Sequence, residues 1–158
     1  MESGTLGFPQ GFRGARVYRS TAQSLASTGS AQFILFDSER YSTDGIFSRV
    51  RNDRLVIPAS GVWRVGAGIR MTTSGTFSSA QTGITVNFGA PISIGQIIAL
   101  YDFGTIGGNT ITTTMSTEWF FNAGDTVHLF CNPIGTGTIT AAIQASHSYS
   151  PELWVSKA

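Results

Sequence analysis

Two histidines, His128 and His147, and one cysteine, Cys131, are where nucleophilic or proton-transfer chemistry would be sought first in this chain. Neither a Gly-x-Ser-x-Gly elbow, a His-Glu-x-x-His pair nor a phosphate-binding glycine loop followed by lysine accompanies them. His128 holds an alternating position in the run from Thr126 to Cys131, which predicts a solvent- or interface-facing strand residue. Cys131 reads as a small buried apolar residue. Standing alone, it excludes an intrachain disulfide and a multi-cysteine metal site. No catalytic residue set emerges, so the chain is expected not to be an enzyme and to need no cofactor.

Asp37, Glu39 and Asp44 lie close together and offer oxygen ligands of the kind calcium takes. Their spacing matches no defined calcium loop, so turn and hydrogen-bonding roles are expected and no metal is assigned. Arg13, Arg16 and Arg19 recur every third residue, which on an extended chain does not line them up on one face. A nucleic-acid stripe is therefore not expected, and pairing with carboxylates of a neighbouring subunit is. Trp63, Trp119 and Trp154, with Tyr101 and Tyr149, are rings on which a sugar could stack. Trp63 falls on an apolar strand face and reads as core. Trp154 alternates with Leu153 and Val155 near the end of the chain.

Strands must position all of these residues, and the clearest is Gly61 to Met71. Its odd positions, Trp63, Val65, Ala67, Ile69 and Met71, are all apolar, whereas its even positions are Val62, Arg64, Gly66, Gly68 and Arg70. That alternation predicts one long strand with a continuous apolar face. On the other face, glycines flanked by arginines form a shallow trough, open either to solvent or to close approach by a second subunit. Further strands are expected at 15–19, 46–47, 54–57, 84–88, 110–121, 126–131, 139–145 and 152–156. The runs 32–37 and 95–102 are apolar on both faces, and the first implies burial on both sides. Residues 20–31 and 72–83 have loop composition. Residues 1–14 are glycine-rich and aperiodic, an irregular arm that carries Phe8 and Phe12. About nine or ten strands with turn signals every 8–12 residues predict an all-β sandwich, occupying residues 15–158 as one domain.

Charged residues make up only 12% of the 158, hydrophobic ones 41%, and the net charge is +1. So few charges protect a free surface poorly, and some of that surface is expected to be covered. The balance offers no general attraction to nucleic acid or to an anionic membrane. Nine of the ten basic residues are arginine, the cation better suited to interfaces. With no signal-type apolar run in residues 1–30 and no apolar stretch of about 18 residues, the chain is expected to be made without a classical export signal, in a reducing compartment.

Three stretches together resemble one family: FDSERYSTDGIF (Phe36 to Phe47), RLVIPASGVWRVGAGI (Arg54 to Ile69), and FNAGDTVHL with the closing YSPELW. The order and spacing are similar to the globular heads of tumour-necrosis-factor-type and complement-type proteins. The ending from Tyr149 to Trp154 resembles that of bacteriophage structural proteins of this type. The resemblance implies a ten-stranded antiparallel jelly roll assembling as a homotrimer, with the strands 61–71 and 152–156 in the inner sheet. Arg64, Gly66, Gly68, Arg70 and Trp154 would then face a neighbouring subunit or the threefold axis. Lacking a collagen stalk and a cysteine pair, the chain is expected to be a virion protein, made in the host cytoplasm. A decoration or cement trimer on the phage head, anchored to the major capsid protein or another virion protein through Phe8, Phe12 and Arg13, is the first expectation. A receptor-binding tail-fibre tip recognising a host glycan or protein is the alternative.

Overall fold

The computed structural model describes residues 11–26, 29–88, 96–107, 110–141 and 150–158. Along these the backbone forms β1 (Gly14–Tyr18), β2 (Gln23–Ala26), β3 (Gln32–Phe33), β4 (Ser38–Ser42), β5 (Leu55–Val56), β6 (Gly61–Val86), β7 (Ile97–Asp102), β8 (Ile106–Gly107), β9 (Thr110–Phe121), β10 (Thr126–Ala141) and β11 (Glu152–Lys157). A 3-10 turn, Arg49–Arg51, is capped by the Ser48 hydroxyl, which accepts from the Val50 amide. All the strand pairs are antiparallel and hydrogen-bond into one curled, 11-stranded sheet.

The curl follows from β6, which runs 26 residues and belongs to both layers of the sandwich. Its first half lies between β11 and β9, extending outward through β1 to β4. Its second half lies between β10 on one side and β7 and β8 on the other. Between the layers sits the core, where Trp63, Val65, Ile69 and Met71 from the first half, with Leu153 and Val155 of the adjoining β11, cluster with Leu25, Val127 and Leu129. The odd face of Gly61 to Met71 is thus buried, as its alternation predicts.

Residues 72–83 are strand, not the loop their composition suggests. Threonine suits a pleated surface, and Thr73, Phe77, Ala80 and Thr82 are all buried. The alternation is interrupted because Phe77 faces Gly135 and Ser79 faces Ile134, which leaves Ser78 as an extra residue in the ladder. This β-bulge moves the core-facing positions from odd to even, so a fixed period of two does not survive it. Gly135 sits at the bulge, where a Cβ would fall 2.6 Å from the Phe77 backbone. Likewise β10 continues unbroken from Thr126 to Ala141 rather than as two runs. Within 20–31, β2 pairs with the end of β10.

The run 32–37 is not a strand buried on both sides. Only Gln32 and Phe33 join the ladder, while Ile34 and Phe36 point into the core and Leu35 is exposed. Both faces of 95–102 are not covered either: Leu100 and Tyr101 of the edge strand β7 lie at the surface. The sheet begins at Gly14, and residues 1–10 of the arm fall outside the described residues.

Candidate functional site

The outer face of the layer β4–β1–β11–β6–β9 gathers the residues singled out by the alternating pattern. Ladder register places Arg64, Gly66, Gly68 and Arg70 of β6 beside Ser156, Trp154 and Glu152 of β11, and beside Glu118, Ser116, Thr114 and Thr112 of β9. Arg16 of β1 is paired with Trp154 in turn. Side chains at these paired positions share one face of the sheet.

Within the trough the two glycines differ. Gly66 is already covered, because the indole of Trp154 rests on it and a Cβ there would fall inside the ring. The close approach that a neighbouring subunit was expected to make is made here by the chain itself. Gly68 stays open, its nearest side-chain atom being the Thr114 methyl, 3.7 Å from where a Cβ would stand. Gly66→Ala should therefore dislodge the indole and cost about 1–3 kcal/mol through overpacking, whereas Gly68→Ala should be near neutral. Thermal melts and tryptophan emission of both variants test this, and equal behaviour would contradict the asymmetry.

Around the glycines Arg16, Arg40 and Arg64 pair with carboxylates of the chain itself. Glu152, only 9% exposed, receives Arg16 Nε at 2.8 Å on one carboxylate oxygen and Arg40 Nε at 3.0 Å on the other. Arg40 also lies over the Tyr18 ring, 4.9 Å from its centroid. Farther along, Arg64 Nε donates to Glu118 at 2.8 Å. The arginines at 13, 16 and 19 likewise find partners in their own chain: Asp44 at 3.4 Å, Glu152, and the Leu35 carbonyl at 2.7 Å. Sequence reasoning missed the Arg16–Glu152–Arg40 group, since its members come from β1, β4 and β11 and meet only in the folded sheet.

Beyond the Arg64–Glu118 pair, Val62 and Phe120 face each other across β6 and β9, and are 44% and 62% exposed. An exposed aromatic beside an exposed valine is the least water-suited feature of this face. On the opposite side of Trp154 a groove of about 320 Å³ opens over Gly68.

The remaining candidates separate. His128 is 1% exposed, not solvent- or interface-facing. Its Nδ1 donates to the Asp53 carbonyl at 3.0 Å and its Nε2 accepts from the Thr126 hydroxyl at 3.0 Å, the arrangement of a neutral ring. Burial lowers its pKa to about 4. Burial also pushes the Cys131 thiol up to about 12, and its Sγ lies 3.4 Å from Met71 Sδ. Asp37 accepts from the Ser20 amide at 2.7 Å and the Thr21 hydroxyl at 3.1 Å, while Asp44 turns to Arg13. No metal-binding cluster of histidine, cysteine or acidic side chains forms among the described residues.

Of the five rings, Trp63 is buried in the core. Trp119 and Tyr101 are exposed in different layers, and Tyr149 lies outside the described residues. Among the described residues the exposed rings form no common platform. Of the anchoring candidates, Phe8 also lies outside the described residues. Phe12 stacks edge-on against Tyr41 at 5.5 Å, and the Arg13 carbonyl accepts from the Lys157 amide at 3.0 Å. That end of the arm is held by its own domain.

No protein-family model matches the sequence. The curated proteins likewise contain no match. Among solved structures, the chain is similar to the Eiger TNF of S. frugiperda, with a TM-score of 0.65 and 12% identity over 93% of this chain and 92% of that one. It is similar also to murine APRIL, crystallised at pH 5.0, with a TM-score of 0.65 and 7% identity over 93% of this chain and 99% of that one. At these identities the likeness concerns the backbone alone. The chain folds as a jelly-roll β-sandwich of the tumour-necrosis-factor type.

Proposed function

We propose that the chain is a non-enzymatic structural module that assembles as a homotrimer through the outer face of the layer β4–β1–β11–β6–β9, and that the trimer decorates a bacteriophage head. The observation that carries the assembly is the exposed Val62–Phe120 pair on the same face as the open Gly68. Arg16 and Arg40 are already paired with Glu152, and Arg64 with Glu118, so covering the face strands few of its charges. The low charge content and the arginine bias of the sequence agree with a covered surface. The homotrimer is also what the resemblance to tumour-necrosis-factor-type heads implies. The head location, with the major capsid protein or another virion protein as partner, rests on the phage-like ending from Tyr149 to Trp154.

Light scattering of the purified protein should give the trimer mass at micromolar concentration. Gly68→Arg and Phe120→Ser should yield folded monomers, because neither position meets the core. Gly66→Arg is a poorer probe, since it collides with Trp154 of its own chain. A native monomer would defeat the assembly. For the location, the protein is mixed with decoration-free heads and, separately, with host cells. Retention by heads supports decoration, whereas retention only by cells supports a receptor-binding fibre tip.

A further inference from the structure

We infer that the turn Arg49–Arg51, between β4 and β5, is a docking knob for an acidic protein surface. Such a partner sets carboxylates around a small apolar depression. Val50, at the middle of the turn, is 92% exposed, more than any other large apolar side chain among the described residues. Arg49 and Arg51 on either side of it are exposed too. Neither guanidinium has an ion pair or hydrogen bond among the described residues. By contrast Arg13, Arg16, Arg19, Arg40, Arg54 and Arg64 each meet a carboxylate or a carbonyl of the chain. Asp53, the one acidic residue from Ser48 to Arg54, is taken by Arg54 at 2.7 Å. The two outer cations are therefore left for a partner.

The knob is held in shape by its own backbone. The Arg51 amide donates to the Ser48 carbonyl at 3.2 Å, and the Phe36 amide to the Asn52 carbonyl at 2.8 Å. At its base Phe47 bridges to Leu55, with both side chains buried. A preorganised loop loses little conformational freedom on docking. Below the turn, β5 pairs with β10, in the layer opposite the proposed trimer face. The inference thus goes beyond the assembly and does not use the face assigned to it. In a trimer the knob recurs on each subunit, so weak single contacts add up by avidity. Arginine forks match carboxylates with paired hydrogen bonds, and an apolar tip between them gains from a dry depression. Two free cations are few for a nucleic-acid backbone, where binders commonly contact about six or more phosphates. One valine is likewise too little apolar surface to hold a membrane.

The test presents the full chain with four immobilised probes: a glutamate–tyrosine copolymer, poly-L-glutamate, vesicles of phosphatidylserine and phosphatidylcholine, and duplex DNA. Biolayer interferometry reads binding, and light scattering on the same samples reads assembly. The copolymer should bind best, polyglutamate less well, and vesicles and DNA least. Arg49→Glu combined with Arg51→Glu should weaken copolymer binding roughly ten-fold. Val50→Ser should weaken binding to the copolymer but not to polyglutamate, because only the former offers apolar groups. Arg49→Lys with Arg51→Lys keeps the charge and loses the fork, so an intermediate loss is expected. Melting temperatures should stay level throughout, since all three side chains are exposed. Copolymer binding that the Glu variant leaves unchanged would overturn the knob, as would no binding at low salt. Tighter binding to vesicles or to DNA would overturn the protein partner. A native monomer that binds the copolymer through these residues defeats the assembly and leaves the docking site standing.

Discussion

Trp63→Ala should lower the stability of this protein by about 3–5 kcal/mol, the largest loss expected from any single truncation. Trp63 is among the largest fully buried side chains, at 0% exposure, and its indole nitrogen donates to the Ala59 carbonyl at 3.1 Å. Truncation removes the transfer free energy of the ring, leaves a cavity that a two-layer sheet cannot close, and orphans the carbonyl. For a chain of this size each kcal/mol moves the melting temperature by about 2–4 °C, so a fall of roughly 10 °C is expected. The adjacent even-numbered residue supplies the control, since Val62→Ala on the outer face should change the stability of the isolated fold little. Chemical denaturation of both variants measures the contrast. If Trp63→Ala and Val62→Ala moved the midpoint equally, the assignment of the two faces would fail.

Acidification between about pH 6.5 and pH 4 should cost the fold about 3 kcal/mol through His128 alone. Desolvation dominates its surroundings, with Phe33 4.7 Å away and Phe88 6.1 Å away. The Asp53 carboxylate, 3.6 Å from Nδ1, favours the charged ring, and Arg54 opposes it. The net result lowers the folded pKa to about 4 from 6.5. In this window the unfolded chain binds a proton that the folded chain does not, so stability rises with pH and is lost as pH falls. Asp53 contributes outside the window: burial pushes its carboxyl up, but the hydrogen bond and charge of Arg54 outweigh this and hold it below the usual value. Its contribution therefore disappears only at still lower pH. Urea denaturation at pH 7 and pH 4.5 should show the loss in the native protein, and His128→Gln should flatten it. A variant with an undiminished pH slope would exclude His128 as the source.

Alternation made His128 look surface-directed, because its neighbours Val127 and Leu129 were already the core-facing pair. What buries the opposite side is Phe33, brought alongside when β3 pairs with β10 at Phe130 and Cys131. A period of two reports which residues share a face, but it does not report whether that face is covered. Gly66 carries the same lesson in the other direction. Two glycines among arginines announced a site of close approach, yet the approaching group on Gly66 is Trp154 of the same chain, some ninety positions away.

Where side chains alternate without interruption and the choice is between apolar and polar, local sequence determined the outcome by itself. Burial free energy settles such a choice position by position, as in the odd face of 61–71. The all-β class and the placing of Arg64, Gly66, Gly68 and Arg70 on one face follow from that local rule. Only the tertiary structure decided the rest. Residues 72–83 became strand because the bulge at Ser78 and the pairing with β10 supplied hydrogen bonds and burial that serine and threonine do not signal. The Arg16–Glu152–Arg40 group and the groove over Gly68 arose from ladder register between strands far apart in the chain. Register is a collective property: it is set by the summed fit of many cross-strand pairs, none of which is encoded at any one residue.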